Sequence, residues 1–169
     1  DHLASSLGVS YFGITAARNL GNGAVPNINS GNTRTAGGAL VNDYAPFQAD
    51  ASLTYTMEKF PMYPGAFPIT GFGEYINNTG ASEDNNGYAL GVTFGKSGKK
   101  GTWDLSYQYR NLEADAVYEE FTESDFGAYY VTAPAGGSTG YRSGTNVRGH
   151  ILKAQYSPYD SLTLGVTCW

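Results

Sequence analysis

Two neighbouring runs, 87–95 and 101–110, alternate strictly between large apolar and small or polar side chains, and a period of two restricts them to β-strand. In the first run Tyr88, Leu90, Val92 and Phe94 share one face and Ala89, Gly91, Thr93 and Gly95 the other. In the second, Trp103, Leu105, Tyr107 and Tyr109 oppose Asp104, Ser106, Gln108 and Arg110. Between them Lys96-Ser97-Gly98-Lys99-Lys100 makes a tight polar turn, so the unit reads as a long hairpin with one apolar side and one wet side. Soluble sandwiches usually give shorter runs. The pattern fits an all-β fold, an antiparallel transmembrane β-barrel whose strands alternate lipid-facing with lumen-facing residues.

The same alternation recurs along the chain. Residues 51–58 place Ala51, Leu53, Tyr55 and Met57 on one face; 145–156 place Leu152, Ala154 and Tyr156 against Lys153 and Gln155; 161–169 place Leu162, Leu164, Val166 and Cys168 against Thr163, Gly165 and Thr167. Residues 3–14 read as a first strand through Leu7, Val9 and Tyr11. The run 67–77 is less regular, with Phe72 and Ile76 on the face of Thr70 and Glu74, which predicts a bulge or twist. Connections are long at 15–50, short at 59–66, middling at 78–86, short at 96–100, long at 113–143 and short at 157–160. Such alternation suits long outer loops and short periplasmic turns, so residues 1–169 read as one barrel segment. Tyr88, Phe94, Trp103, Tyr109 and Tyr156 fall near strand ends, where an aromatic girdle belongs.

The count comes to seven strands, or eight if 128–132 contributes one. An open edge cannot stand in lipid, and bacterial single-chain barrels have even strand numbers, so a part of a larger barrel is expected. Asp1 opens the chain with neither a signal peptide nor an initiating Met, which leads to the same expectation of a mature product or a piece of a longer protein.

Composition excludes several classes. No apolar run reaches the ~18 residues of a transmembrane helix. With 10 Lys plus Arg against 15 Asp plus Glu, and no basic stripe, nucleic acid is not an expected partner. One cysteine, Cys168, allows no internal disulfide and no Cys-rich metal cage. His2 and His150 are the only imidazoles, too few for a His-based metal site, and no nucleophile, base and acid assemble into a catalytic set. His150 is expected to pack or hydrogen-bond near the outer rim. Gly136-Gly137-Ser138-Thr139-Gly140 lacks the Lys-Ser/Thr ending of a phosphate loop and reads as a connection. No cofactor and no enzymatic activity are expected.

A passive pore needs only a polar lumen with a chosen charge balance. On this alternation the lumen face carries Glu58, Glu74, Asp104, Gln108, Arg110, Lys153 and Gln155, either setting charge preference or standing as solvated wall residues. The acidic run at 113–125, with Glu119, Glu120, Glu123 and Asp125, is the one conceivable Ca²⁺ ligand set. It lacks EF-hand spacing, so a solvated extracellular loop is the expected reading.

Three motifs carry a family resemblance: Asn111-Leu112-Glu113-Ala114-Asp115-Ala116-Val117, then Phe121-Thr122-Glu123-Ser124-Asp125-Phe126-Gly127, then Gly144-Thr145-Asn146-Val147-Arg148-Gly149-His150. Their order, followed by a strand like 161–169, resembles the C-terminal part of the "putative porin" family of Gram-negative outer-membrane proteins. Residues 67–78 also look like a family strand, whereas the first 50 residues match weakly. The resemblance implies a pore-forming barrel of more than eight strands. Family members continue past the position of Trp169 and close with a strand ending in an aromatic residue. The partners this implies are outer-membrane lipid and small hydrophilic solutes or ions, with homo-oligomerisation left open. Two rivals stand beside the diffusion pore: a small closed barrel that anchors the membrane or displays its loops, and a secreted sugar-binding sandwich.

Overall fold

The computed structural model describes residues 2–17, 31–123, 125–126 and 144–169. Within them seven strands form one antiparallel sheet in sequence order: β1 His2–Tyr11, β2 Pro46–Met57, β3 Phe67–Asn78, β4 Asn86–Gly95, β5 Trp103–Leu112, β6 Val147–Tyr159 and β7 Leu162–Cys168. A 3-10 turn, Glu119–Phe121, lies between β5 and β6. β1 and β7 are not paired with each other, so the sheet is barrel-like but open.

Register carries the alternation across every strand. Leu3, Tyr55, Ile69, Phe94, Leu105, Ala154 and Val166 are successive partners along one row of one face. On the other face Ala4, Thr54, Thr70, Thr93, Ser106, Lys153 and Thr167 are successive partners. The hydroxyls in that second row bond one another, Thr54 to Thr70 at 2.8 Å and Thr93 to Ser106 at 3.0 Å. The apolar face is the exposed one: Leu3, Leu7, Leu53, Leu90, Leu105, Leu152, Leu164 and Val166 all present their side chains outward. A contiguous apolar face of this kind marks a surface made for a partner or a membrane. Tyr88, Phe94, Trp103, Tyr109 and Tyr156 all stand on it.

Three expectations are corrected. β2 begins at Pro46, so the first connection ends before residue 46 and not at 50. Gln48, Asp50, Ser52, Thr54 and Thr56 continue the polar alternation back to that point, but Ala49 is too small to carry the opposite face back beyond Ala51. β3 has no bulge: it pairs without a register shift with β2 and β4. Phe72 and Ile76 face the polar side because each packs there, Phe72 over Gly91 and Ile76 under Ala116 and Val117. An added Cβ at Gly91 would overlap the Phe72 ring and sit 2.7 Å from the Tyr107 carbonyl oxygen, so glycine lets the ring lie across β4. The irregularity instead falls in β6, between Tyr156 and Tyr159, and the strand runs on through 157–159, so the turn expected at 157–160 falls at 160–161. The proposed extra strand at 128–132 lies outside the described residues.

The short-turn end is tightly knit. Phe60 and Phe67 stack at 4.1 Å between ring centroids, and Tyr63 meets Phe67 and Trp103 edge-on at 4.9 and 5.9 Å. The Trp103 indole N–H donates to the Met62 carbonyl at 3.1 Å, and the Tyr63 hydroxyl donates to the Lys96 carbonyl at 2.8 Å. Asp160 accepts from the Lys100 amide at 2.7 Å, tying the turn before β5 to the one after β6.

Two glycines give a matched test of the packing. Gly91→Val should lower stability by about 1–3 kcal/mol through the overlap with Phe72. Gly71→Ala, where nothing lies within 4 Å, should leave it nearly unchanged. Equilibrium unfolding in detergent measures both; equal effects would remove Phe72 packing as the reason for Gly91.

Candidate functional site

The polar face changes character along its length, and that change positions the candidate site. Toward the long connections Ile76, Gly87, Leu112 and Val147 are successive partners, an apolar row on an otherwise polar face. An added Cβ at Gly87 would press 2.6 Å from both Ile76 and Leu112, so this row is packed shut. The segment after β5 folds onto it: Ala116 and Val117 bury against Ile76 with Phe12 and Leu112, and Phe126 buries against Val147 with Leu112 and Ile151. The acidic run is therefore not a solvated loop. Apolar residues interleaved with its carboxylates draw it down onto the sheet.

Its carboxylates are used where they are buried. Asp115 accepts from the Thr33 amide at 3.0 Å, the Asn42 side-chain amide at 3.0 Å and the Tyr44 hydroxyl at 2.9 Å. Glu119 accepts from the Asn32 amide at 3.0 Å and forms a buried ion pair with Arg34. Asn32 in turn accepts from the Glu119 amide at 2.8 Å and donates to the Ala114 and Val117 carbonyls at 2.6 and 2.9 Å. Asn78, fully buried, donates to the Asp43 and Asp115 carbonyls and accepts from the Ala45 and Gly80 amides. Segments 31–45 and 113–119 are thus one hydrogen-bonded unit, as interior polar groups require. Burial, then the adjacent Asp115 carboxylate, pushes the Tyr44 hydroxyl far above its ordinary pKa and keeps it a donor. Burial and the neighbouring Glu120 and Glu119 carboxylates raise Tyr118 as well.

Below this unit the wall is open. Gly8, Asp50, Glu74, Ala89, Arg110 and Gly149 are successive partners, so three charged side chains share one tier of the polar face. Glu74 accepts from the Gln48 side-chain amide at 2.8 Å. Arg110 donates to Glu123 at 2.6 Å and lies 5.7 Å from the centre of the Phe126 ring. With strands about 4.8 Å apart, Glu74 and Arg110 are rooted roughly 10 Å from each other. A hollow of about 290 Å³ lies between segment and wall, lined by Gln48, Glu74, Ile76, Arg110, Glu123 and Phe126 among others. Gln108 and Lys153 line a second one, of about 260 Å³, with Glu123 and Asp125 opposite.

The remaining candidates lie elsewhere. Asp104 is buried and accepts from the Ser97 amide at 3.0 Å, and Gln155 accepts from the Ser97 hydroxyl at 3.4 Å, so both fasten the turn between β4 and β5. Glu58 is exposed just beyond β2. Glu119, Glu120, Glu123 and Asp125 are not gathered: Glu119 turns to Arg34 and Glu123 to Arg110. Among the described residues no group of three or more His, Cys, Asp or Glu could hold a metal. His150 does bond a neighbour, Tyr107, at 2.8 Å, on the apolar face. Sequence reasoning missed Asp50 and Gln48, although the alternation carried back through Ser52 and Asp50 to Gln48 would have found them.

Removing one partner of a buried pair leaves a bare charge, so Glu119→Ala should cost about 3–5 kcal/mol. Hydrogen exchange should show the loss first in the amides of 113–119 and 31–34. Protection unchanged there would mean that the apolar contacts alone hold the segment down.

In comparison with known proteins, no curated protein and no solved structure matches the chain. A family model described as "Putative porin" matches residues 44–168, from the start of β2 to the end of β7. The matched span contains the whole charged tier from Asp50 to Arg110 and the segment folded over it. The chain belongs to the "putative porin" family.

Proposed function

We propose that this chain forms part of the wall of an outer-membrane diffusion channel of a Gram-negative bacterium, through which small hydrophilic solutes and ions pass without chemistry. The observation that supports the reading is the folding of 113–123 and 125–126 over the polar face, so that Arg110, Glu123 and Glu74 border a hollow. In this reading the exposed apolar face meets lipid, and the unpaired edges of β1 and β7 are covered by further strands that close a larger barrel. Family membership supports a non-enzymatic channel role.

The tier at the narrowing holds Asp50, Glu74 and Glu123 against Arg110. A low-dielectric wall focuses such a field along the passage, so an excess of carboxylates favours cations. Planar-bilayer recordings in a salt gradient test this. Wild type should be mildly cation-preferring, Arg110→Glu should raise the cation-to-anion permeability ratio severalfold, and Glu74→Gln should lower it. Reversal potentials that do not move in either variant would take this tier out of the conduction path. No conductance and no liposome swelling would favour a barrel that anchors the membrane or displays loops.

A further inference from the structure

Charge is unevenly placed between the two ends of the strands. At the long-connection end stand Asp43, Glu83, Asp84, Glu113, Asp115, Glu119, Glu120 and Glu123. At the short-turn end stand Lys59, Lys96, Lys99 and Lys100, all exposed. Among the described residues none of these four lysines makes an ion pair. Three acids share this end: Asp104 is buried in the Ser97 turn, Asp160 accepts from the Lys100 amide, and Glu58 is exposed beside Lys59.

The same end carries a built amphipathic rim. Phe60, Tyr63, Phe67 and Trp103 cluster on the apolar face, and Tyr63 is bonded to the Lys96 backbone through its hydroxyl. Met62, at the tip, is held with φ at 62° and 90% exposed, its carbonyl fixed by the Trp103 indole. A left-handed backbone is unfavourable for methionine. Its persistence here keeps an apolar side chain outside the cluster instead of inside it.

We propose that this rim binds anionic phospholipid headgroups, with Lys59, Lys96, Lys99 and Lys100 on the phosphates and the aromatic cluster and Met62 at the acyl boundary. Aromatic rings settle at the level of the headgroups, and unpaired lysines beside them attract anionic lipid. The inference rests on the membrane reading above, and adds a lipid preference for one end only.

Fluorescence quenching tests it in vesicles of phosphatidylcholine and phosphatidylglycerol at equal mole fraction, brominated in one lipid or the other. The probe is the emission that Trp103→Phe removes. Both leaflets have the same composition, so orientation of insertion does not matter. Brominated phosphatidylglycerol should quench Trp103 about twofold more than brominated phosphatidylcholine, and salt should reduce the difference. Replacing the four lysines by glutamine should abolish it, while replacing them by arginine should keep it. Equal quenching by the two lipids in the unmodified protein, or a preference that survives the glutamine variant, overturns the proposal. Absence of quenching by either lipid would overturn the membrane reading beneath it.

Discussion

A strand has a side-chain period of two, so its pairing register has no intermediate setting: one step of slippage sends every leucine to the wet face and every threonine to the greasy one. The six ladders of this sheet all obey the same setting. From Leu3 to Val166 one row stays apolar, and from Ala4 to Thr167 its neighbour stays small or polar. Cross-strand partners reinforce the choice, because the hydroxyl pairs Thr54–Thr70 and Thr93–Ser106 form only in this register. All else follows: which side chains line the hollow, which rings form the rim, and where a connection can fold back.

The polar face is not polar throughout, and its exceptions explain the segment after β5. Ile76, Leu112, Val147 and Ile151 stand on the face of Glu74, Arg110 and Lys153, toward one end. An apolar row on a wet wall must be covered, and Ala116, Val117 and Phe126 cover it. Covering it brings backbone amides and carbonyls inside with them. Asn32, Asn78, Asp115 and Glu119 answer that demand with side-chain hydrogen bonds, so the buried polar groups are the consequence of the apolar seat.

The strands and their two faces were legible because alternation is local; β4 and β5 differ from their sequence-based bounds by one or two residues. The start of β2 was hidden by Ala49, which satisfies either face. The even run of β3 was hidden by Phe72 and Ile76, whose apolar character is explained only by Gly91 and by Val117, distant in sequence. The segment at 113–125 misled for a related reason. A run of carboxylates reads as solvated, yet the partners of Asp115 and Glu119 lie 71 to 87 residues away, in a stretch that carries no pattern of its own. Arg110 was recognisable from its strand alone, but its neighbour Glu123 was not.

Two ion pairs of the folded segment, Arg34–Glu119 and Arg110–Glu123, differ in kind, and the difference bears on how a passage beside them could work. Arg34–Glu119 is buried, with side chains 7% and 0% exposed, and holds the middle of the segment against the first connection. Arg110–Glu123 is open to water at 25% and 44%, so solvent screens it and its net contribution is small, about 0–1 kcal/mol. A strong pair fixes where the segment lies, and a weak pair at its edge leaves both charges available. In the proposed channel an ion entering the hollow would therefore meet Glu123 or Glu74 without first breaking a costly ion pair. In the proposed channel a buried pair at Arg110 would close the passage, whereas the exposed one keeps its charge accessible.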